Sequence, residues 1–152
     1  MEQGEAMDLG NVCIQILTAQ FSYILFLTLP WRIANTVHVT GCSRSCAVGL
    51  DLYGRPTNGI WFFIPPHKRR WVTALAMANA IFQYATQATR IVWPSYADSQ
   101  TPDGLICINA TFGLSIICGM SSGMFQGCCE DGVRKLYPGR FPPTPFAAAL
   151  AA

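Results

Sequence analysis

Soft metal ligands crowd one part of the sequence: Cys118, Met120, Met124, Cys128 and Cys129 lie in or beside GMSSGMFQGCCED, residues 119–131. Thiolates and thioethers favour Cu(I), and methionines four residues apart present both sulfurs on one face of a helix. His38, Cys42 and Cys46 form a second series, His-xxx-Cys-xxx-Cys, that a helix would also align. With Cys128 and Cys129 it could assemble a tetrahedral zinc site. That spacing matches none of the common zinc patterns, and Gly41 and Gly49 weaken a helix there. Buried thiols and packed methionines are the preferred reading, and no metal is assigned.

The same segment carries a different pattern. Gly119, Gly123 and Gly127 recur at four-residue spacing, with Ser115 and Ser122 nearby. Lipid gives helices no hydrophobic reason to join, so small residues that let backbones approach do that work. The glycines are expected to form a packing face, and Ala74, Ala78 and Ala85 offer a matching small-residue face on another helix, flanked by Ala76 and Ala80. Asn79, Gln83, Gln87 and Arg90 form a polar stripe at helical spacing. Such a stripe wants protein or a water-filled cavity against it, because lipid offers no hydrogen-bond partner. Gln15, Thr18 and Ser22 are its expected partners, in preference to a conduction path.

The elements that position these residues follow from composition. Only 12% of the 152 residues are charged, against about a quarter in a soluble domain, so water cannot wet the whole surface. Three runs without charge, residues 9–31, 71–89 and 104–129, are long enough to cross roughly 30 Å of hydrocarbon and predict spans at about 9–31, 71–93 and 104–129. The expected fold is an all-α integral membrane protein of three transmembrane helices in a single domain. Loop 32–70 contains GIWFFIPP, too short to span and closed by prolines, which is read as an interfacial segment. A proline-rich tail, 133–152, follows the third span. The N-terminal tail lacks the basic region of a signal peptide, so the first span is expected to stay as an anchor.

Basic residues set the expected orientation. The N-terminal tail and the loop 90–103 hold only Arg90, whereas the first loop and the tail hold Arg32, Arg44, Arg55, Lys68, Arg69, Arg70, Arg134, Lys135 and Arg140. The first loop and C-terminus are therefore expected on the cytoplasmic or matrix side. In outline, three spans, an outside N-terminus and a glycine-rich third helix resemble the copper transporters of the Ctr family. Those proteins carry Met-xxx-Met on the second helix and methionine clusters outside. Here the second helix has Met77 alone and the N-terminal tail Met1 and Met7. The resemblance would imply copper transport through a homo-oligomer.

Several functions drop out on chemistry. A net charge of +2 without a basic stripe gives no nucleic-acid footprint. No nucleophile elbow, phosphate loop, zincin motif or paired carboxylates occur, and neither histidine lies in a span where it could hold haem. No catalytic residue and no cofactor is assigned, and bound lipid is compatible with such a surface. The expected role is a non-catalytic accessory subunit whose partners are other membrane-protein subunits and the bilayer. A complex of the mitochondrial inner membrane, respiratory or ATP-synthesising, is the suggested home. A transporter or channel subunit and a cysteine-based metal or redox module are the alternatives.

Overall fold

The computed structural model describes residues 3–41 and 47–142. Its elements are α1 (Gln3–Gly41), a 3-10 helix (Ile60–Phe63), α2 (Pro66–Val92), the single turn α3 (Tyr96–Ser99) and α4 (Pro102–Leu136). At 1.5 Å per residue, the 39 residues of α1 and the 35 of α4 extend about 58 and 52 Å. Both are long and apolar enough to cross a membrane. In their most apolar stretches only 11% of α1 and 17% of α4 is buried, far less than in the core helix of a water-soluble domain. α2, with 27 residues, has the length but carries more polar side chains. The helix ends follow local chemistry: Pro102 and Asp103 open α4, and Arg134 and Lys135 in its last turn complement the helix dipole.

Two compact units divide the chain, and each long helix contributes a segment to both. The first comprises Met1–Ile33 and Leu75–Met120. Along α1 in this unit the covered positions are Asn11, Gln15, Thr18, Ser22, Leu25, Leu29 and Arg32. Their steps alternate between four and three, the 3.5-residue period of helices packed knobs into holes. α4 repeats it at Gly104, Ile108, Thr111, Ser115 and Cys118. Flanking side chains such as Leu17, Phe21, Phe26, Ile106 and Ile117 are exposed. Much of the covered stripe is polar and the uncovered surface apolar, the reverse of a soluble bundle.

The helix α1 does not end near Trp31 but continues to Gly41. Pro30 lies inside it. Arg32, counted from the sequence among the basic residues of the first loop, is half-buried within α1 and donates to the Ala76 carbonyl and to Asn79 Oδ1 at 3.3 Å. The guanidinium can be held there because it finds acceptors on α2.

The second unit comprises Ala34–Ala74 and Ser121–Ala152. Phe63, Ile64, Cys129, Val133 and Phe141 form its apolar core. The segment GIWFFIPP is therefore folded into the chain at Phe62, Phe63 and Ile64, with Ile60 and Trp61 half-buried. Phe63 meets the rings of Tyr137 and Phe141 edge-on at 5.6 and 5.1 Å. The Arg140 guanidinium lies 4.6 Å above the same ring and donates to Asn58 Oδ1 at 2.6 Å, clamping the loop to the end of the chain's last helical region. The loop turns at Gly49, whose φ of +87° suits glycine and whose amide donates to the Phe62 carbonyl.

The loop also closes on Asp51, whose Oδ1 accepts the amides of Tyr53 and Arg55, each at 2.8 Å. The Arg55 amide, helped by that of Tyr53, holds this carboxyl below its ordinary value of 3.8. A depressed folded pKa gives stability that is present above the unfolded value and lost as pH falls through the folded one. Amide exchange at Tyr53 and Arg55 should therefore stay slow at neutral pH and accelerate only below 3.8, whereas Asp51→Ala should show fast exchange throughout.

Gly49→Ala should lower the free energy of unfolding by about 1–2 kcal/mol, read from the shift of the denaturation midpoint, because a Cβ there combines positive φ with a 3.3 Å approach to the Phe63 ring. Gly54 also has positive φ, at +76°, but open space around it, so Gly54→Ala should cost less. Equal costs would show that the ring contact contributes nothing.

Candidate functional site

Within the first unit, polar side chains of three helices form one connected chain of hydrogen bonds. Arg32 on α1 donates to Asn79 Oδ1 on α2, and Asn79 Nδ2 donates to the Ser115 carbonyl on α4 at 2.9 Å. The Ser115 hydroxyl accepts from Asn79 Nδ2 at 3.1 Å and donates to Gln83 Oε1 at 3.0 Å. Gln83 Nε2 then donates to the Thr18 carbonyl at 3.3 Å, returning to α1. A serine hydroxyl has one proton and two acceptor lone pairs, so it can serve both amides at once. Gln83, Ser115 and Thr18 are buried, which makes their mutual satisfaction necessary.

Steric fit reinforces the chain. A Cβ on Gly119 would stand 3.0 Å from Asn79 Nδ2, so the glycine leaves room for the amide to reach Ser115, one helical turn away. Nearer the end of α2, Arg90 donates to Asn11 Oδ1 at 3.3 Å, while Asn11 and Gln15 both donate to the Pro94 carbonyl, at 3.0 and 2.6 Å. Pro94 follows the last turn of α2, so these bonds tie that end of the helix to α1. Gln87 takes a different course: its Oε1 is buried without a hydrogen-bond partner among the described residues.

The other residues singled out from the sequence lie as follows. Gly123 and Gly127 are exposed, with nothing within 4 Å of an added Cβ. Ala78 and Ala85 are half-buried and Ala74 is exposed, whereas Ala80 is the covered alanine of α2, at 1% exposure. α4 instead meets α2 through its serines: besides Ser115, Ser122 in the second unit donates to the Val72 carbonyl at 3.1 Å. Ser115 and Ser122 are seven residues apart, the repeat that also runs through Asn11, Thr18 and Leu25. That period was the available signal for Asn11, Ser115 and Arg32 as inward residues.

The soft ligands are spread out. Cys118 is half-buried and Met120 exposed in the first unit; in the second, Met124 and Cys128 are exposed and Cys129 belongs to the apolar core. His38 is buried edge-on to Phe62, with ring centroids 6.4 Å apart. Cys42 and Cys46 lie outside the described residues. Among the described residues no three of His, Cys, Asp or Glu come together as a metal site, and Cys13, Cys107, Cys118, Cys128 and Cys129 are free thiols.

Interhelical hydrogen bonds in membrane proteins average about 0.6 kcal/mol and reach about 1.7. Ser115→Ala removes the link that serves both amides and should destabilise by about 1–2 kcal/mol. A double-mutant cycle with Gln83→Ala should show coupling of about 0.5 kcal/mol or more, read from unfolding in mixed micelles. Additive losses would mean that the two side chains do not act together.

No protein-family model, no curated protein and no solved structure matches this chain.

Proposed function

We propose that the chain is a three-span integral membrane protein that acts as a non-catalytic accessory subunit of a larger membrane complex. The observation that carries this reading is the inverted burial. The hydrogen-bonding side chains Thr18, Gln83 and Ser115 are buried, while α1 and α4 turn Phe21, Ile24, Phe26, Ile106 and Ile117 outward. Water would penalise that surface heavily, whereas lipid or an apolar partner covers it without cost. α2 is the third span in this reading. Its stripe from Asn79 to Gln83 spends its hydrogen bonds inside the chain, which supports a scaffold over a conduction path. Ile60 and Trp61, left half-buried, would meet the headgroups as the interfacial part of the first loop.

In this reading the first loop and tail lie on the cytoplasmic or matrix side, which the excess of basic residues in them supports. Gly123 and Gly127 then offer an unfilled small-residue face for another subunit's helix, next to the exposed Met120 and Met124. Energy-converting complexes, such as those of the mitochondrial inner membrane, are the class of assembly that small helical subunits of this kind suit.

Purification in mild detergent followed by native mass measurement tests the proposal. Recovery as a stoichiometric member of a hetero-complex is expected, and Gly123→Leu should abolish that recovery without lowering the stability of the isolated chain. A symmetric homo-oligomer that carries copper would overturn it.

A further inference from the structure

A cavity of about 260 Å³ opens in the first unit beside Arg90. Its lining is partly polar, from Asn11, Arg90, Tyr96, Ser99, Gln100 and Asn109, and partly apolar, from Ile14, Leu105 and Ile108. Arg90 Nε is buried and has no hydrogen-bond partner among the described residues. The one side-chain bond it makes among the described residues, to Asn11 at 3.3 Å, is long beside the roughly 2.7–2.9 Å of a charge-assisted pair. Nor does a carboxylate neutralise it among the described residues: Asp98, in the adjoining turn, accepts the Ser95 hydroxyl at 2.6 Å. A guanidinium facing a partly apolar hollow, short of acceptors and of countercharge, is a receptor for an oxyanion.

We infer that this cavity binds the phosphate of a phospholipid headgroup, with Arg90 as the charged donor and Gln100 as a second donor. The Gln100 side chain has no hydrogen bond among the described residues, so its amide is available. The apolar part of the cavity lining suits the glycerol and first methylenes of a lipid, and Leu105 continues it to the exposed surface of α4. Arg90 stands at the end of α2, where an uncharged span meets the loop to α4, the depth at which headgroups lie. This inference rests on the membrane placement proposed above.

The test uses the full chain in detergent micelles supplied with phosphatidylglycerol, with bound lipid counted by native mass spectrometry. Wild type should retain one phospholipid, Arg90→Gln should retain it roughly tenfold less well, and Arg90→Lys should recover part of the loss. Gly10 lines the same cavity with open space at its Cβ position, so Gly10→Leu adds bulk to the hollow from a helical site while leaving the Arg90 side chain itself unchanged. It should lose the lipid while keeping the wild-type helix content, which separates an emptied site from a misfolded chain. Retention of lipid by both Arg90→Gln and Gly10→Leu would overturn the inference. Displacement of the lipid by millimolar inorganic phosphate would assign the site to a free anion and overturn its lipid form. Recovery of the chain without detergent would instead overturn the membrane placement, whereas a membrane-embedded chain whose variants keep their lipid would overturn the lipid site alone.

Discussion

A buried amide without a partner is costly, and in the first unit the three long helices supply partners to Asn79 and Gln83, while Gln87 Oε1 has none among the described residues. Asn79 and Gln83 are costly to place in an apolar setting unless every donor and acceptor is used. Ser115 solves the problem for both, because one hydroxyl accepts from Asn79 and donates to Gln83. The backbone carbonyls of Thr18 and Ser115 each take one further amide proton, from Gln83 and Asn79, and Arg32 supplies the donor for Asn79 Oδ1. α1, α2 and α4 are thereby fixed in register by groups that have no equivalent place to go one residue up or down. Five such links at the membrane average amount to about 3 kcal/mol, so their main contribution is specificity of register rather than bulk stability.

The second unit is held by different physics. Its core is a small aromatic and aliphatic cluster in which Phe63 meets Tyr137, Phe141 and the Arg140 guanidinium. Apolar residues are buried there in the ordinary sense, and polar ones such as Asn35 and Trp61 pair at 2.8 Å. Cys129 belongs to this cluster, which accounts for its conspicuous place in the sequence without any chemistry of the thiol. The neighbouring Cys128 points the other way and is exposed. Adjacent cysteines on a helix face different surroundings, so the pair does not form a ligand set by proximity in sequence.

The glycines of α4 likewise divide. Gly119 is needed where the Asn79 amide reaches past it to Ser115, whereas Gly123 and Gly127 leave open space. Small residues therefore serve two purposes on one helix: close approach within the chain, and an unfilled surface that the proposed subunit role would use.

By itself the sequence determined the helical elements and the two most apolar stretches, because helix length and the run of uncharged residues depend on local composition. It also marked Asn79, Gln83 and Arg90 as one polar face, since 3.6-residue periodicity is a local property. It did not determine where α1 stops, because Pro30 and Trp31 read as an ending while contacts of Arg32, Asn35 and Val39 with other elements accompany its continuation. Nor could it choose between Gly123 and Ser122 as the residue that meets α2. Both lie on α4 one residue apart, and only the packing within the second unit, where the Ser122 hydroxyl reaches the Val72 carbonyl and Gly123 faces open space, decides between them.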